Sequence, residues 1–572
     1  MTCSDFLRDD GLRLPWAPTR NFASTRAGNP HRYAILLLVA AFSAHGAQIT
    51  VGTKIDNVLV DGQVSLREAL LSVAAKADVN ADVTAARSSL YSGADLVRIS
   101  IGSGAQTIAL GASLPPVAAG THVDGSTQPG YVDQNLITLD GTQAGAATDG
   151  LVLLEGSRIT ALDIVKFAGH GLRSDDDILF AHGFDGTGAT DPVLDADFVA
   201  ITIDQCASID NVGDGVRVDA GTAVDASGLR VLRNRGVGMR VRGALAATQT
   251  VVSFNAGDGI VVDSADPVDL DQSDLQYNGQ HPQLAPTARA GLRVLRASRP
   301  DVVDDLGLVQ SLGGVQVHGS GTVANQLGDG VVVGDAAVQT GVIHALIGDL
   351  QIHHNLAGIR VAQRDFDAHR TAIAILSNNI YQNASAGLFI STSYMYPTYS
   401  ADRRVIAADD VHHNAVTPAD QCSAATATQT QSQVVFDGPV AATPDEVAAC
   451  QPAGVDTQSE CNALSNPNGV SSNGINNHCV WTGVACTVAW DMGGREGTGE
   501  CDSSRNRIFA YVNNPNADPS TQRGVAALND AMVRARRNTW GVGGASNGTF
   551  EDSSSNARID ANDDCGSIST CP

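Results

Sequence analysis

The sequence predicts an all-β fold: a parallel β-solenoid, capped at its start by a short helix and interrupted near its end by a cysteine-rich insertion. Three observations carry that prediction. A Gly-anchored repeat runs through the middle of the chain, one strong helix signal stands early, and all but two of the cysteines fall in the last third. Composition agrees. The 572 residues include 59 Gly, with 17% charged and 5% aromatic residues, which suits short strands and tight turns better than long helices. The formal net charge of −25 argues against a nucleic-acid partner, because a phosphate backbone is bound by a basic footprint. Solubility is the plain consequence of such acidity, and calcium is the one cofactor it leaves open. Basic charge is nearly all Arg; the lysines are Lys54, Lys76 and Lys166.

Residues 1–46 read as a leader with a signal peptide. In "HRYAILLLVAAFSAHGAQ", His31 and Arg32 form a basic flank, Tyr33 to Ala44 an apolar run, and Ala44-His45-Gly46 a small-residue cleavage pattern. The run is short for a bilayer span. The mature chain is therefore expected to begin near Ala47, with no integral membrane segment, as an exported protein that is secreted or held at the cell surface.

Residues 47–95 read as an N-terminal cap. In "DGQVSLREAL" (61–70), Ser65 precedes a helix and Glu68 stands three positions on. Each side chain then satisfies a backbone N–H that the first helical turn leaves free, a capping box. Leu66, Ala69, Leu70 and Val73 follow at helical spacing. A solenoid has an open apolar core and an unpaired edge at its first coil, and this helix is expected to cover them.

Residues 96–418 read as coils. The segments "GDGVRV" (213–218), "GVGMRV" (236–241), "GDGIVV" (257–262), "RAGLRV" (289–294), "LGGVQV" (312–317), "GDGVVV" (328–333), "LAGIRV" (356–361) and "SAGLFI" (385–390) each join a Gly to a short apolar strand. Asn211, Asn234, Asn255, Asn325, Asn355 and Asn383 stand just upstream. Asn and Gly both tolerate positive φ, so each pair reads as a turn. A spacing near 22 fits one coil of about three strands, with roughly eleven coils between Gly150 and Gly387.

The stretches "DGQVSLREALLSVAAKADVNAD", "VRISIGSGAQTIALGASLPP" and "HVDGSTQPGYVDQNLITLDGTQAG" resemble, in order, the start of the CSLREA-domain proteins. The likeness runs over about residues 49–175, and the looser Asn/Gly pattern extends it to about 415. That family implies export and a right-handed parallel β-helix of the pectin-lyase-like kind; it implies no single activity. Val64 stands where the family has Cys, so the cap must hold by packing alone.

Residues 419–504 read as a disulfide module. Cys422, Cys450, Cys461, Cys479, Cys486, Cys501, Cys565 and Cys571 form an even set in an exported chain, whose pairing the sequence leaves open. "CVWTGVAC" (479–486) looks like half of the module, with Trp481 and Trp490 as its small core. Residues 505–572 read as terminal coils and a C-terminal cap, with "AALNDAMVRA" (526–535) as an alternative short helix.

No complete catalytic set emerges. Gly169-His170-Gly171 followed by Asp175, Asp176 and Asp177 is similar to a polygalacturonase motif, but the acids follow the His and no Arg-x-Lys exists. Glycosidase chemistry needs two carboxylates across one bond. Arg217, Arg240 and Arg242 sit just after coil turns as candidate ligand-binding residues, and Arg217 and Arg240 are expected to form a surface ladder suited to an anionic glycan. His353-His354 and His412-His413 precede Asn355 and Asn414, and one of each pair should face inward. "DVNAD" (78–82) and "DANDD" (560–564) resemble calcium loops only loosely. The expected function is a binding or adhesion scaffold for a polysaccharide, cell-surface glycan or other surface. The alternatives are a polysaccharide lyase or hydrolase, and a structural stalk that displays the cysteine-rich module.

Overall fold

The computed structural model describes residues 46–175, 200–264 and 268–297, and shorter stretches between 309 and 565. Among the described residues three long parallel sheets, of nine, thirteen and fifteen strands, dominate; they are called sheets A, B and C. One coil gives one strand to each. Ile201–Asp204 lies in A, Ala207–Ile209 in B and Val216–Val218 in C. Ala223–Ser227 then returns to A, in register beside Ile201–Asp204. The result is the expected right-handed parallel β-helix.

Strand side chains alternate between the two faces, so the stacked coils keep like residues in rows. Ile164, Val231, Val252, Leu275 and Ile352 share one inward row of sheet B and are fully buried. Among the described residues one continuous apolar core runs from Ile49 to Ala557, with a separate small one in the insertion. Each large side chain in it contributes about 1.5–3 kcal/mol by leaving water.

The capping helix forms as expected. α1 (Leu66–Ala75) starts at Ser65, whose hydroxyl accepts the Glu68 N–H at 3.1 Å while the Glu68 carboxylate accepts the Ser65 N–H at 2.8 Å. Glu68 is itself buried and also accepts from Asn80. Leu66, Ala69, Leu70 and Val73 join the main core, and so does Val64. α2 (Ala81–Ala86) follows, capped by Asn80. The acids of "DVNAD" are committed to this cap. Asp78 pairs with Arg87 at 2.7 Å, and Asp82 accepts the N–H groups of Asp61 and Gly62.

The turn reading of Asn and Gly needs correction. None of Gly150, Gly171, Gly215, Gly238, Gly259, Gly330, Gly358 and Gly387 has a positive φ. They are Gly because the next coil leaves no room: a Cβ on Gly215 would lie 2.3 Å from the Val231 side chain and 2.5 Å from the Asn234 amide. The left-handed residue is the one before each Asn: Asp210, Arg233, Phe254, Tyr277, His354, Gln382 and His413. The Asn side chains form a buried ladder that holds this strained turn. Asn211, Asn234 and Asn255 each donate from Nδ2 to the next Asn Oδ1, ending at Asn278, at 2.9–3.0 Å. The same Oδ1 also accepts the backbone N–H of the Asn before it. The ladder reappears at Asn355, Asn383 and Asn414 and closes on Gln433.

Three further expectations change. The nine strands from Leu151–Leu153 to Leu388–Ser391 are consecutive in sheet C, so eight coil steps, not eleven, separate Gly150 from Gly387. Long turns cause the overcount; the step from Gly171 to Gly215 spans 44 positions. Val315–His318 belongs to sheet B, so "LGGVQV" is not a copy of the sheet C strand. "AALNDAMVRA" holds two strands, Val525–Leu528 and Met532–Arg534, rather than a helix.

The insertion carries two disulfides, Cys450–Cys479 and Cys461–Cys486. Cys479–Trp481 and Cys486–Val488 form an antiparallel hairpin, and Trp481 packs with the four cysteines. Trp490 instead lies in a strand parallel to Met532–Arg534, so it is placed with the terminal coils. Cys565 is also disulfide-bonded; Cys422, Cys501 and Cys571 lie outside the described residues, as does the leader up to position 45.

Candidate functional site

The outer face of sheet C gathers most of the residues singled out in the sequence. Arg173, Arg217 and Arg240 are directly in register, and the row continues through Val261, Arg293, Val332 and Arg360. The expected Arg ladder therefore exists. Its charges do not stand alone. Two positions ahead of each strand, the residue between or before the coil glycines alternates between Asp and another type: Asp149, His170, Asp214, Val237, Asp258, Ala290, Asp329, Ala357.

Each of these acids ties one coil to the next in two ways. Asp214 accepts the Val237 N–H and the Arg240 Nε, both at 2.8 Å. Asp258 accepts the Ala290 N–H at 2.7 Å and Arg293 Nε at 2.8 Å. Asp329 accepts the Ala357 N–H at 3.0 Å and Arg360 Nε at 2.7 Å. Asp149 accepts the His170 N–H at 2.7 Å, with Arg173 at 3.7 Å. On the other edge of the sheet, Asp219 lies 2.9 Å from Arg173 and 2.7 Å from Arg217. Burial works against the Asp219 charge, but the two guanidiniums prevail and hold its carboxyl below the usual range. The bond to Asp219 in turn pushes Arg173 further up. Arg242 stands 3.9 Å from Asp263.

His170 fills the Asp position of its coil and, like the acids, accepts a backbone N–H of the next coil. Its Nδ1 accepts the Asp214 N–H at 3.0 Å, which places the ring proton of the neutral imidazole on Nε2. Asp175 sits 3.5 Å from Arg173. Asp176 and Asp177 lie outside the described residues. His170 and Asp175 are thus joined to one Arg–Asp lattice, not set across a groove as an acid–base pair.

A second stripe runs along the far edge of sheet B. His353, Tyr381 and His412 are in register, and their rings stack at 4.8 and 5.5 Å between centroids. His354 and His413 occupy the left-handed turn position. Neither member of either pair faces the core, because the inward place belongs to Ile352 and Val411; the expected in-and-out division fails since the strand has ended before the second His. His412 Nε2 lies 3.1 Å from Asn379 Oδ1, and His412 and His413 face each other through Nδ1. Burial, then the nearby His413 and Arg507, pushes His412 down to about 3, and burial also lowers His413. Burial raises the Asp410 carboxyl against the pull of Arg507, 2.9 Å away. Tyr381 escaped the sequence reading. The signal was present: aligned on Asn355, Asn383 and Asn414, "IHHN", "IYQN" and "VHHN" place His353, Tyr381 and His412 in one column.

Among the described residues no group of three or more His, Cys, Asp and Glu side chains is arranged to hold a metal ion, and no helix is long and apolar enough to cross a membrane. Cys206 is a buried free thiol, which burial pushes up to about 12, so it carries no thiolate chemistry near neutrality.

No protein-family model matches the chain, and no curated protein does. Solved structures do. The A-module of the Azotobacter vinelandii mannuronan C-5 epimerase AlgE4 aligns over 77% of this chain and 86% of its own, at 11% identity and a TM-score of 0.34. Pectate lyase Pel9A aligns over 69% of this chain and 76% of its own, at 10% identity and a TM-score of 0.30.

Proposed function

We propose that the chain is an exported β-helix scaffold of the CSLREA-like kind that binds a polysaccharide or glycan-coated surface along sheet C without cleaving it. One observation carries this reading: the acids and bases of the candidate face are committed to each other. A lyase base of the Arg type must give up its proton, and a paired carboxylate opposes that loss. Arg173 is pushed in the wrong direction for a base. A glycosidase acid or nucleophile needs a carboxylate free to meet substrate, whereas Asp214, Asp258 and Asp329 each accept a backbone N–H and an Arg. What the lattice offers is a row of partly exposed guanidiniums held in register by their acids. Guanidinium edges not used by the acids suit sugar hydroxyls and uronate carboxylates.

The test incubates the chain from Ala47, with and without calcium, with neutral and anionic polysaccharides, scoring binding and the release of reducing or unsaturated ends. Binding without new ends is expected. Replacing both Arg217 and Arg240 by Ala should weaken it by about tenfold or more, the worth of one charged hydrogen bond. Release of new ends from any polymer overturns the non-catalytic reading.

A further inference from the structure

The first described residues of the chain hold a feature that the glycan reading does not use. Ala47 and Asp95 are both buried, at 0% and 1% exposure. The Ala47 N–H donates to Asp95 Oδ1 at 2.7 Å, and the Ser92 N–H reaches the same oxygen at 3.1 Å. Asp95 Oδ2 is fully enclosed and has no hydrogen-bond partner among the described residues. A buried carboxylate served by two neutral amides on one oxygen, and by nothing on the other, is poorly compensated.

Ala47 is also the first residue after the small-residue cleavage pattern Ala44-His45-Gly46. We propose that an export-linked endopeptidase cuts between Gly46 and Ala47, and that the α-ammonium so released is the intended partner of Asp95. The step is hydrolysis. Water adds across the Gly46–Ala47 amide: its oxygen goes to Gly46, which leaves as a carboxylate, and its two hydrogens complete the Ala47 ammonium. That nitrogen already stands at hydrogen-bond distance from the carboxylate. Where the amide offered one donor and no charge, the ammonium offers three donors and a full positive charge, enough to serve both oxygens.

The surroundings agree. Gly46 is packed against Ala94, so closely that a Cβ would lie 2.2 Å from the Ala94 carbonyl oxygen. The bond to be cut is therefore shielded once the domain has folded, and cutting must precede folding, as it does on a chain still being exported. The pair sits where it has most effect. Ala47 leads directly into Gln48–Val51, the outermost strand of sheet A, and its carbonyl accepts the Leu96 N–H at 2.7 Å. The ion pair would pin the first strand of the rod to the second.

The experiment compares two chains, one beginning at Ala47 and one carrying a single added Gly at position 46, each with Asp95 and with Asp95→Asn. Amide exchange is read at 48–51 and 96–99. The free Ala47 terminus should slow exchange by at least about tenfold over the extended chain, and the difference should vanish in the Asp95→Asn pair. Equal exchange in the two Asp95 chains overturns the ion pair. Since Asp95→Asn could prevent folding, a second measurement stands apart from it. The Ala47 amine of the folded protein should resist acylation and react only on unfolding; ready labelling of the native chain overturns the proposal. So does an intact mass of the full-length precursor, expressed in an exporting bacterium, that fixes the mature terminus at any residue other than Ala47.

Discussion

A coil such as the one from Val216 to Leu232 keeps little of its order to itself. Its strands pair with the coils on either side, its Asn234 is satisfied by Asn211 and Asn255, and Asp214 before it is satisfied by Arg240 beyond it. The insertion around residues 450–488 does the reverse. Its hairpin pairs only with itself among the described residues, and its core is four half-cystines with Val455 and Trp481. Stacking lets a short segment borrow hydrogen bonds and apolar contact from its neighbours. The hairpin does lie beside Met532–Arg534 and Arg558–Asp560, but it shares no strand ladder with them among the described residues and adds covalent links instead.

Each kind of support can be removed separately. Reducing the disulfides, or replacing Cys461 and Cys486 by Ser, should unfold the insertion. Each link contributes about 3 kcal/mol by the loop-entropy model. Protease nicking within 450–488 with an unchanged far-ultraviolet spectrum of the rod is expected; melting of the whole chain would show that the insertion supports the coils. On the other side, Asn255→Ala strips partners from Asn234, Val231 and Asn278 at once. Leaving several buried polar groups unpaired costs about 3 kcal/mol or more. The loss should spread to the coils above and below, seen as faster amide exchange at Asn234 as well as at 255.

Acid should act more locally. His412 and His413 are held below the usual His range, so the folded state binds fewer protons than the unfolded one as pH falls from about 6.5. Stability around 379–413 is therefore full above pH 6.5 and declines down to about 3, where His412 itself protonates. A pH titration of amide exchange at Asn379 to Asn414, against His412→Phe, checks this; an unchanged profile in the variant would put the acid response elsewhere. A smaller effect attaches to the cap, where Ser65→Ala should cost about 1 kcal/mol, read from the exchange of the first turn of α1. The smallest belongs to Arg240→Ala. Arg240 is partly exposed, and the buried Asp214 keeps the Val237 N–H when the guanidinium is removed, so the cost is about 1 kcal/mol and thermal unfolding should move little while polysaccharide binding falls.

What was legible in the sequence was what is encoded locally. Ser65 and Glu68 declare a helix start within four residues, because both partners of the capping box lie on the same turn. The coil glycines were legible in place but not in cause. Their crowding comes from Gly238 or Asn234 in the next coil, and no single segment contains it. The left-handed turn residues were illegible altogether. Asp210, Arg233, Phe254, Tyr277 and His354 share no chemistry, and the Asn ladder beside them imposes the conformation from outside. The Arg row could be aligned by eye, but its pairing with acids one coil earlier required the register.

That pairing has a rhythm of its own. Asp149, Asp214, Asp258 and Asp329 stand on every second coil, and Arg173, Arg240, Arg293 and Arg360 on the coils between. The backbone repeats at every step, but the acids repeat at every other one, and so do the bases apart from Arg217, which stands on the Asp214 coil. To anything laid along the axis, sheet C is a grating ruled at about 10 Å, twice the strand spacing. A polymer whose own monomers alternate would keep in phase with such a grating over many periods, while a mismatched one would drift out of phase within a few.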